Sequence, residues 1–345
     1  MLVVTPNLCF DVTVRLPLFT PGAVTRATST VITAGGKGVN VMRAAAALGA
    51  QRSRLVGFTP NADAVRLRAL LCDDAVELIG VQTLGQVRIA TILLEDSGRA
   101  SVINGRGPDI DERGWRLLLD AVRDNLVRGE VLVCSGSLPP GVPVDGYAQL
   151  VRLAHDAGCA AVVDAAPGPL AAALPDRPDL VSPNLSEAEG LLHGRTDELV
   201  DERTPEVQQR AVAASRELHA AGAVRAVVTA GDAGAALTTA EGTWWSPAPT
   251  VMVASPIGAG DSFVAGAVVT MAARRSDLEV LAAGIATAAA SCESDKAGDV
   301  DPGRVAELLA RLGDAESIAE SIAESIADDT AADRMLVESD SGSSR

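Results

Sequence analysis

The sequence predicts an α/β protein with a central, mostly parallel sheet flanked by helices. Apolar residues make up 48% of the 345 residues and aromatic residues only 2%, which is typical of a sheet covered by Ala-rich helices. From Asp111 onward, predicted helices and strands alternate, and such alternation implies right-handed βαβ units. We therefore expect ligands to bind at the carboxyl ends of the strands.

The first part of the chain supplies a strand, a set of short strands and two helices. Residues 1–5 form an apolar run that predicts a buried strand. Residues 12–32 alternate β-branched and polar side chains between prolines, which favours short strands over a helix. An Ala-rich helix is expected at residues 39–48, closed by a glycine. A strand at residues 55–58 and a helix at residues 63–73 follow.

A second strand-rich pair lies at residues 87–94 and 100–104, joined by a turn that contains Gly98. We group this pair with the earlier short strands as one small β-sheet outside the main sheet, which we call the lid. The predicted lid comprises residues 13–32 and 86–105, and the α/β core comprises residues 1–12, 33–85 and 106–313.

The alternation of helix and strand is clearest in the second half of the chain. The predicted helices cover residues 111–127, 145–157 and 205–221, and the strand that follows each of them covers residues 130–135, 160–164 and 225–230.

The carboxyl-terminal segment, residues 314–345, departs from this pattern. It holds nine acidic and two basic residues. The tetrapeptide Ala-Glu-Ser-Ile occurs three times in a row from residue 315 to residue 326, a spacing that predicts a helical face bearing Ile318 and the two isoleucines that follow it. The end of the chain is polar. We therefore expect a low-complexity acidic tail that is partly disordered.

Charge and cysteine usage exclude several classes of partner. The formal net charge is −16, which argues against nucleic acid or an anionic membrane as a partner. The five cysteines are scattered and form no paired motif, as expected for reduced thiols in a cytoplasmic protein. The sequence shows neither a signal peptide nor an apolar run long enough to cross a membrane.

The stretch from Ser255 to Phe263 carries the strongest chemical signal. Gly258 and Gly260 precede an apolar run without strong breakers, so the chain turns there into a helix start, where backbone N–H groups are unpaired and an anion can approach closely. Asp261 lies in the first helical turn. An anion cradle beside a carboxylate suits phosphoryl transfer. The alternative is an ordinary loop-to-helix turn whose aspartate is favoured by the helix dipole.

Several glycine-rich or polar turns follow predicted strands in the same way, and together they resemble the ribokinase-like (PfkB-type) carbohydrate kinases. The resemblance covers about residues 1–310 and is nearest to the branch of 1-phosphofructokinase and tagatose-6-phosphate kinase. The turns that carry it are Gly35-Gly36-Lys37-Gly38-Val39-Asn40, Gly136-Ser137-Leu138-Pro139-Pro140-Gly141, Asn184-Leu185-Ser186-Glu187, Thr229-Ala230-Gly231-Asp232-Ala233-Gly234 and Gly258-Ala259-Gly260-Asp261-Ser262.

The resemblance implies the catalytic group. Asp261 would be the base that takes the proton of the acceptor hydroxyl, and the amides of Gly258, Ala259 and Gly260 would form an anion hole. From its place at a helix start we also expect Asp261 to be ionised at neutral pH.

For the nucleotide, the resemblance implies ATP with Mg²⁺. Asn184 and Glu187 would organise the metal near the nucleotide phosphates, through water, as suits a cation that dehydrates reluctantly. An N-cap with its capping-box glutamate is an alternative reading of the same pair and is compatible with it. Thr229 and Gly231 would contact the nucleotide. Gly234 is assigned to the nucleotide as well, although a turn glycine explains it better.

For the sugar, the resemblance implies that Asp11 accepts hydrogen bonds from hydroxyls. Gly35 and Gly36 would let the backbone approach the sugar. Asn40, one turn into the next helix, and Ser137 complete this set.

An existing phosphate on the substrate would be held by Lys37, with Arg88 and Arg26 as companions. As isolated residues, the two arginines are more often solvated surface charges. The sequence also departs from the family, since Ala90 stands where an asparagine is usual, which leaves the identity of the sugar open.

We expect a kinase that transfers the γ-phosphoryl group of ATP, with Mg²⁺, to a ketohexose phosphate, acting as a homodimer through the lid. Fructose 1-phosphate is the first expectation and tagatose 6-phosphate the second. Fructose 6-phosphate and an unphosphorylated sugar stay open, as does a non-catalytic sugar-phosphate sensor. A nicotinamide-dependent enzyme fits poorly, because no Gly-x-Gly-x-x-Gly follows the first strand.

Overall fold

Two separate sheets organise the chain, as a computed structural model shows for residues 1–50, 52–73, 76–194 and 204–318. Within these residues the strands are β1 (Leu2–Val4), β2 (Cys9–Leu16), β3 (Ser29–Gly35), β4 (Arg54–Pro60), β5 (Glu77–Thr83), β6 (Arg88–Glu95), β7 (Ala100–Asn104), β8 (Val131–Ser135), β9 (Ala160–Asp164), β10 (Leu180–Val181), β11 (Ala226–Thr229), β12 (Gly234–Thr239), β13 (Gly242–Pro247) and β14 (Glu316–Ser317). The α-helices are α1 (Lys37–Ala47), α2 (Ala64–Asp73), α3 (Glu112–Asn125), α4 (Gly146–Asp156), α5 (Pro167–Ala173), α6 (Leu185–His193), α7 (Val207–Ala220), α8 (Ala259–Ala272), α9 (Asp277–Cys292) and α10 (Pro302–Arg311).

The main sheet has ten strands in the order β14-β13-β12-β11-β10-β9-β8-β1-β4-β5. All pairs from β11 to β5 are parallel, and the three pairs from β11 to β14 are antiparallel. The predicted fold class, a mostly parallel sheet flanked by helices with a smaller second sheet, is thereby confirmed.

Side chains alternate between the two faces along each strand of the main sheet, and helices bury both faces. Leu2 and Val4 of β1 join a hydrophobic core with helices α3 to α7 on one face. Val3 joins the core on the other face, with helices α1, α2, α8, α9 and α10. This arrangement explains why the strands read as continuous apolar runs rather than as alternating patterns.

The second sheet has four strands in the order β3-β2-β6-β7, with β2 and β6 parallel and the other pairs antiparallel. It begins at Cys9, whereas the sequence placed residues 1–12 in the core. Asp11 therefore lies on the second sheet, where it pairs with Thr33 and Ala90.

The predicted helices and strands of the second half agree with α3, β8, α4, β9, α7 and β11 to within a few residues at each end. The edge strand β5, the β12–β13 hairpin and the helices α9 and α10 were not predicted from the sequence.

Most of the tail, for which partial disorder is predicted, lies outside the described residues, which end at Ile318. Within residues 314–318, the expected helical face is wrong. Residues 316 and 317 form β14, which pairs with β13, and the Ile318 N–H donates to the Thr243 carbonyl at 2.9 Å. An open sheet edge offers unpaired backbone groups that stabilise a strand there more than a short repeat stabilises a helix.

Two further observations bear on the sequence expectations. No helix among residues 1–50, 52–73, 76–194 and 204–318 is long and apolar enough to cross a membrane. The five cysteines are free thiols.

Candidate active site

The predicted glycine turns converge at the carboxyl edge of the main sheet, where helices α1, α6 and α8 begin. Gly36, the N-cap of α1, has φ 115°, and Gly258, the N-cap of α8, has φ 84°. Only glycine adopts such φ values at low cost. A β-carbon on Gly258 would also clash with Ala297. The sequence forms tight entries into both helices because these two residues lack side chains.

The amides predicted to form an anion hole lie at the start of α8. The Ala259 N–H donates to the Pro256 carbonyl at 3.3 Å, whereas the N–H groups of Gly258 and Gly260 have no partner within the described part of the chain. Among the described residues, and apart from its chain neighbours and the adjacent backbone of α8, no atom lies within 4 Å of a β-carbon built on Gly260. Two of the three amides are thus available to an anion.

Asp261 is in the first turn of α8 and is 7% exposed. Asn40, on α1, donates a hydrogen bond from Nδ2 to Oδ2 of Asp261 at 2.8 Å. Burial raises the pKa of Asp261 to about 7, although the nearby Lys37 ammonium and the Asn40 hydrogen bond act to lower it. Desolvation thus opposes the helix start, which was expected to favour the ionised form of Asp261.

Lys37 stands between carboxylates. Its Nζ lies 3.1 Å from Oδ1 of Asp164 and 3.6 Å from Oε1 of Glu187. Burial alone would lower the pKa of Lys37, but Asp164, Glu187 and Asp261 together raise the pKa above its ordinary value. Lys37 is thus charged, and it balances the negative charge at this edge of the sheet.

Asp164 was not identified from the sequence. It ends β9, is 4% exposed, and accepts a hydrogen bond from the Ser135 hydroxyl at 3.3 Å. The available signal was its position, since a carboxylate that ends a buried parallel strand lies at the edge where ligands bind.

Asn184 and Glu187 form the capping box of α6. Oδ1 of Asn184 accepts from the Glu187 N–H at 2.8 Å, and Oε2 of Glu187 accepts from the Asn184 N–H at 3.1 Å. The N-cap with its capping-box glutamate, which is the alternative reading of this pair, is therefore present in the structure. The other carboxylate oxygen of Glu187 faces Lys37, so the capping role leaves it available to a ligand.

The donor chemistry at this edge fits Mg²⁺ held through water. No group of three or more His, Cys, Asp or Glu that could hold a metal ion occurs within the residues described. Asp164 and Glu187 nevertheless offer hard carboxylate oxygens around Lys37. Mg²⁺ typically uses one or two carboxylates, with phosphate and water oxygens for the rest.

The predicted nucleotide turn lies beside this cluster. Thr229, which ends β11, forms a parallel bridge with Asn184. Gly231 and Gly234 both have positive φ. Gly234 begins β12, and a β-carbon there would clash with the Ser246 carbonyl. The hairpin alone therefore requires Gly234.

Of the residues predicted to bind the sugar, Asp11 and Gly35 lie directly against each other. A β-carbon on Gly35 would overlap the Asp11 carboxylate, so the backbone packs directly against that group. The Cys9 thiol donates to Oδ1 of Asp11 at 3.1 Å. Burial raises the pKa of Asp11, while the Cys9 hydrogen bond, Arg43 and Arg88 act to lower it.

Ser137 is placed by Asn7, whose Nδ2 donates to the Ser137 hydroxyl at 2.9 Å. Both residues lie in the loops that follow strands of the main sheet, β1 and β8.

The three cations predicted to hold a phosphate have different surroundings in the structure. Lys37 pairs with Asp164 and Glu187, as described above. Nε of Arg88 donates to the Asn7 carbonyl at 3.0 Å, and Nη1 donates to Oδ1 of Asn104 at 3.2 Å. Arg26 is exposed in the segment between β2 and β3.

Comparisons with known proteins agree with this geometry. The family model described as pfkB family carbohydrate kinase matches residues 4–302. The chain is 27% identical to 1-phosphofructokinase of Bacillus subtilis (strain 168), with 86% of this chain and 93% of that protein covered. It is also 27% identical to 1-phosphofructokinase of Escherichia coli (strain K12), with 90% and 96% covered.

Solved structures give the same result. Phosphofructokinase-2 from Escherichia coli, in complex with fructose-6-phosphate, superposes with a TM-score of 0.79 at 28% identity, over 90% of this chain and 98% of that one. Ribokinase from Thermotoga maritima, at 19% identity, superposes with a TM-score of 0.68 over 90% and 98% of the two chains, which shows the shared fold.

The raised pKa of Asp261 predicts a pH-dependent stability. Its folded value of about 7 exceeds the unfolded value of about 3.9, so the folded state binds more protons over this range. Stability is therefore lost as the pH rises through about 4 to 7. Asp261→Asn, which is neutral, should escape this loss, so its free energy of unfolding should exceed the wild-type value by more at pH 8 than at pH 5.

Urea denaturation at both pH values measures the difference. Asp124→Asn, at an exposed carboxylate of α3, is the matched control and should change the gap little. Parallel pH profiles for the wild type and Asp261→Asn would contradict the assignment.

Proposed function

The chain belongs to the pfkB family of carbohydrate kinases, and we propose that it transfers the γ-phosphoryl group of ATP to a hydroxyl of a ketohexose phosphate. The observation that carries this proposal is the buried Asp261 at the start of α8, beside two open amides and the Lys37 ammonium. Fructose 1-phosphate is the first candidate, supported by the two 1-phosphofructokinases that the chain resembles. Tagatose 6-phosphate is the second.

In this mechanism Asp261 accepts the proton of the attacking hydroxyl. A base with a pKa of about 7 is matched to that task at neutral pH, since it is partly ionised and still holds a proton firmly. The free N–H groups of Gly258 and Gly260 would receive the developing charge on the transferred group. Lys37, held between Asp164 and Glu187, would neutralise the same charge from the opposite side.

The nucleotide would lie along the turns after β10 and β11, near Asn184, Thr229 and Gly231. Mg²⁺, when bound, would supply charge neutralisation on the phosphate oxygens. Asn184 and Glu187, the pair expected from the sequence, would hold it through water, and Asp164 would add a further carboxylate oxygen at the same edge of the sheet.

The sugar would lie between Asp11 and Asp261, with its existing phosphate near Arg88 and Arg26. Fructose 6-phosphate is an alternative, because phosphofructokinase-2 from Escherichia coli is described in complex with that sugar phosphate. An unphosphorylated sugar and a non-catalytic sensor are the remaining alternatives. The free thiols favour the cytoplasm as the place of action.

The first test of this function is Asp261→Asn. Loss of a general base typically lowers kcat by about 10²- to 10⁴-fold, while the binding of substrates should stay within a few-fold of the wild type. A coupled assay that measures ADP release over a panel of sugars and sugar phosphates gives both values. Wild-type protein that consumes no ATP with any sugar would favour the sensor, and near-normal turnover of the variant would remove Asp261 from this role.

The second test separates the roles of Arg88 and Lys37. Arg88→Met should raise the KM for the sugar phosphate by roughly 10- to 100-fold, since a hydrogen bond to a charged group contributes about 1.5–3 kcal/mol, and should leave the KM for ATP unchanged. Lys37→Met should instead lower kcat, because the ammonium acts on the transferred group.

Arg106→Met is the matched control, because Arg106 is an exposed arginine paired with Asp109, and this variant should behave like the wild type. If Lys37→Met loses only affinity for the sugar phosphate, Lys37 binds the phosphate already present on the substrate, as expected from the sequence. Preference for an unphosphorylated sugar would overturn the assignment of Arg88.

We also propose a homodimer formed by the second sheet. Its register places Ile32, Ile89 and Ile103 on the face opposite Asp11, and these side chains are 38%, 51% and 60% exposed. Two copies that pack these faces together would cover the apolar side chains and stiffen the sheet that carries Asp11.

Ile89→Glu should therefore convert the dimer to a monomer, because two copies of the charge would be buried in one interface. Sedimentation velocity measures this. Leu117→Glu, at a 46% exposed leucine of α3, is the matched control and should stay dimeric, as should a chain that ends at Ile318. A wild-type monomer, or a dimer unaffected by Ile89→Glu, would defeat the proposal.

A further inference from the structure

Arg43 is a buried charged residue to which the proposed mechanism gives no role. It lies on α1, one turn after Asn40, and is 8% exposed. Its Nη1 donates to Oδ1 of Asn40 at 3.0 Å, and its Nη2 donates to the Ala34 carbonyl at 2.6 Å. Burying a guanidinium costs free energy, so its placement against the neighbour of the base has to be explained.

The hydrogen bond from Arg43 restricts how the side chain of Asn40 can rotate. A guanidinium donates hydrogen bonds and cannot accept them, so the side that Asn40 presents to Arg43 must be its oxygen. The amide group of Asn40 then faces Asp261, where it can only donate. Without Arg43, the side chain could rotate and present its oxygen to Asp261, which would favour the protonated carboxyl over the carboxylate.

We propose that Arg43 is a positioning residue, which fixes the side chain of Asn40 so that its amide donates to the carboxylate of Asp261. Arg43 also donates to the Ala34 carbonyl near the end of β3, and this hydrogen bond holds the guanidinium in the orientation in which it donates to Asn40. The effect of Arg43 passes through Asn40 to the base.

Three other charged groups act on Asp261, and all of them are present with or without Arg43. They are Lys37 of α1, Asp164 at the end of β9 and Glu187 of α6. Replacing Arg43 leaves these three charges in place, so a change in the pKa of Asp261 can be assigned to the loss of Arg43.

The test is the pH profile of kcat/KM for the preferred sugar phosphate, between pH 5 and pH 9. At low pH the activity falls as Asp261 takes up a proton, and we call this part of the profile the acid limb. Arg43→Met should move the acid limb to higher pH by about one unit, since the loss of one hydrogen bond to the carboxylate raises the pKa of Asp261 by about that amount. Activity should then fall about fivefold more at pH 6 than at pH 8, with kcat affected more than KM.

Arg43→Lys keeps the charge but can reach only one of the two oxygens, so a smaller shift is expected. This variant carries the test if Arg43→Met does not fold. Asn40→Ala should give the same displacement of the acid limb as Arg43→Met, and the double variant should give no more than either single one.

The matched control is Arg54→Met. Arg54 begins β4 at the opposite edge of the sheet, and it also donates to one main-chain carbonyl and one side-chain oxygen, those of Asn125 and Glu130. This variant should lose stability without any displacement of the acid limb.

The inference rests on the proposed role of Asp261, and the two can fail separately. If Asp261→Asn retains turnover, the proposed function fails, whatever Arg43 does. If Asp261→Asn is inactive and the acid limbs of Arg43→Met and Arg43→Lys coincide with the wild type, Arg43 has a structural role only and this inference is overturned.

Discussion

The ammonium of Lys37 is the charge on which the carboxyl edge of the sheet depends. Asp164, Glu187 and Asp261 all act on it electrostatically, and two of these carboxylates lie within 3.6 Å of it. Removing an ion from water costs several kcal/mol even after relaxation, and three like charges close together add repulsion. Because one cation is shared, the site can hold these acidic groups and still receive phosphates in a strongly acidic protein.

Distance along the chain decides which parts of the site could be predicted from the sequence. Asp261 and its glycines stand in one continuous stretch, so their proximity follows from the turn itself. Lys37 was identified for its charge, but its partners could not be, because Asp164 and Glu187 lie more than a hundred residues away along the chain. Only the order of strands β9, β8 and β1 brings them together.

The fold shows a similar division. The alternation of helices and strands after Asp111 was predictable, since each strand is a short apolar run between amphipathic helices and connections are short. The edge strand β14 was not, because a two-residue strand has no periodicity of its own and forms only where β13 offers unpaired backbone groups. The boundary of the second sheet was misplaced because β2 runs from buried Cys9 to half-buried positions without a turn residue to mark the change.

The junction between the two sheets is where sugar binding and catalysis would be linked. Strand β3 of the second sheet ends at Gly35, and after the single residue Gly36 the chain enters α1. Asp11 packs against Gly35, and Arg43 donates to the carbonyl of Ala34 beside it. A shift of β3 that repositions Asp11 must therefore also displace Arg43, and through Asn40 the hydrogen bond to Asp261. The geometry that would hold the sugar and the geometry that would orient the base share one backbone segment, so neither can change alone.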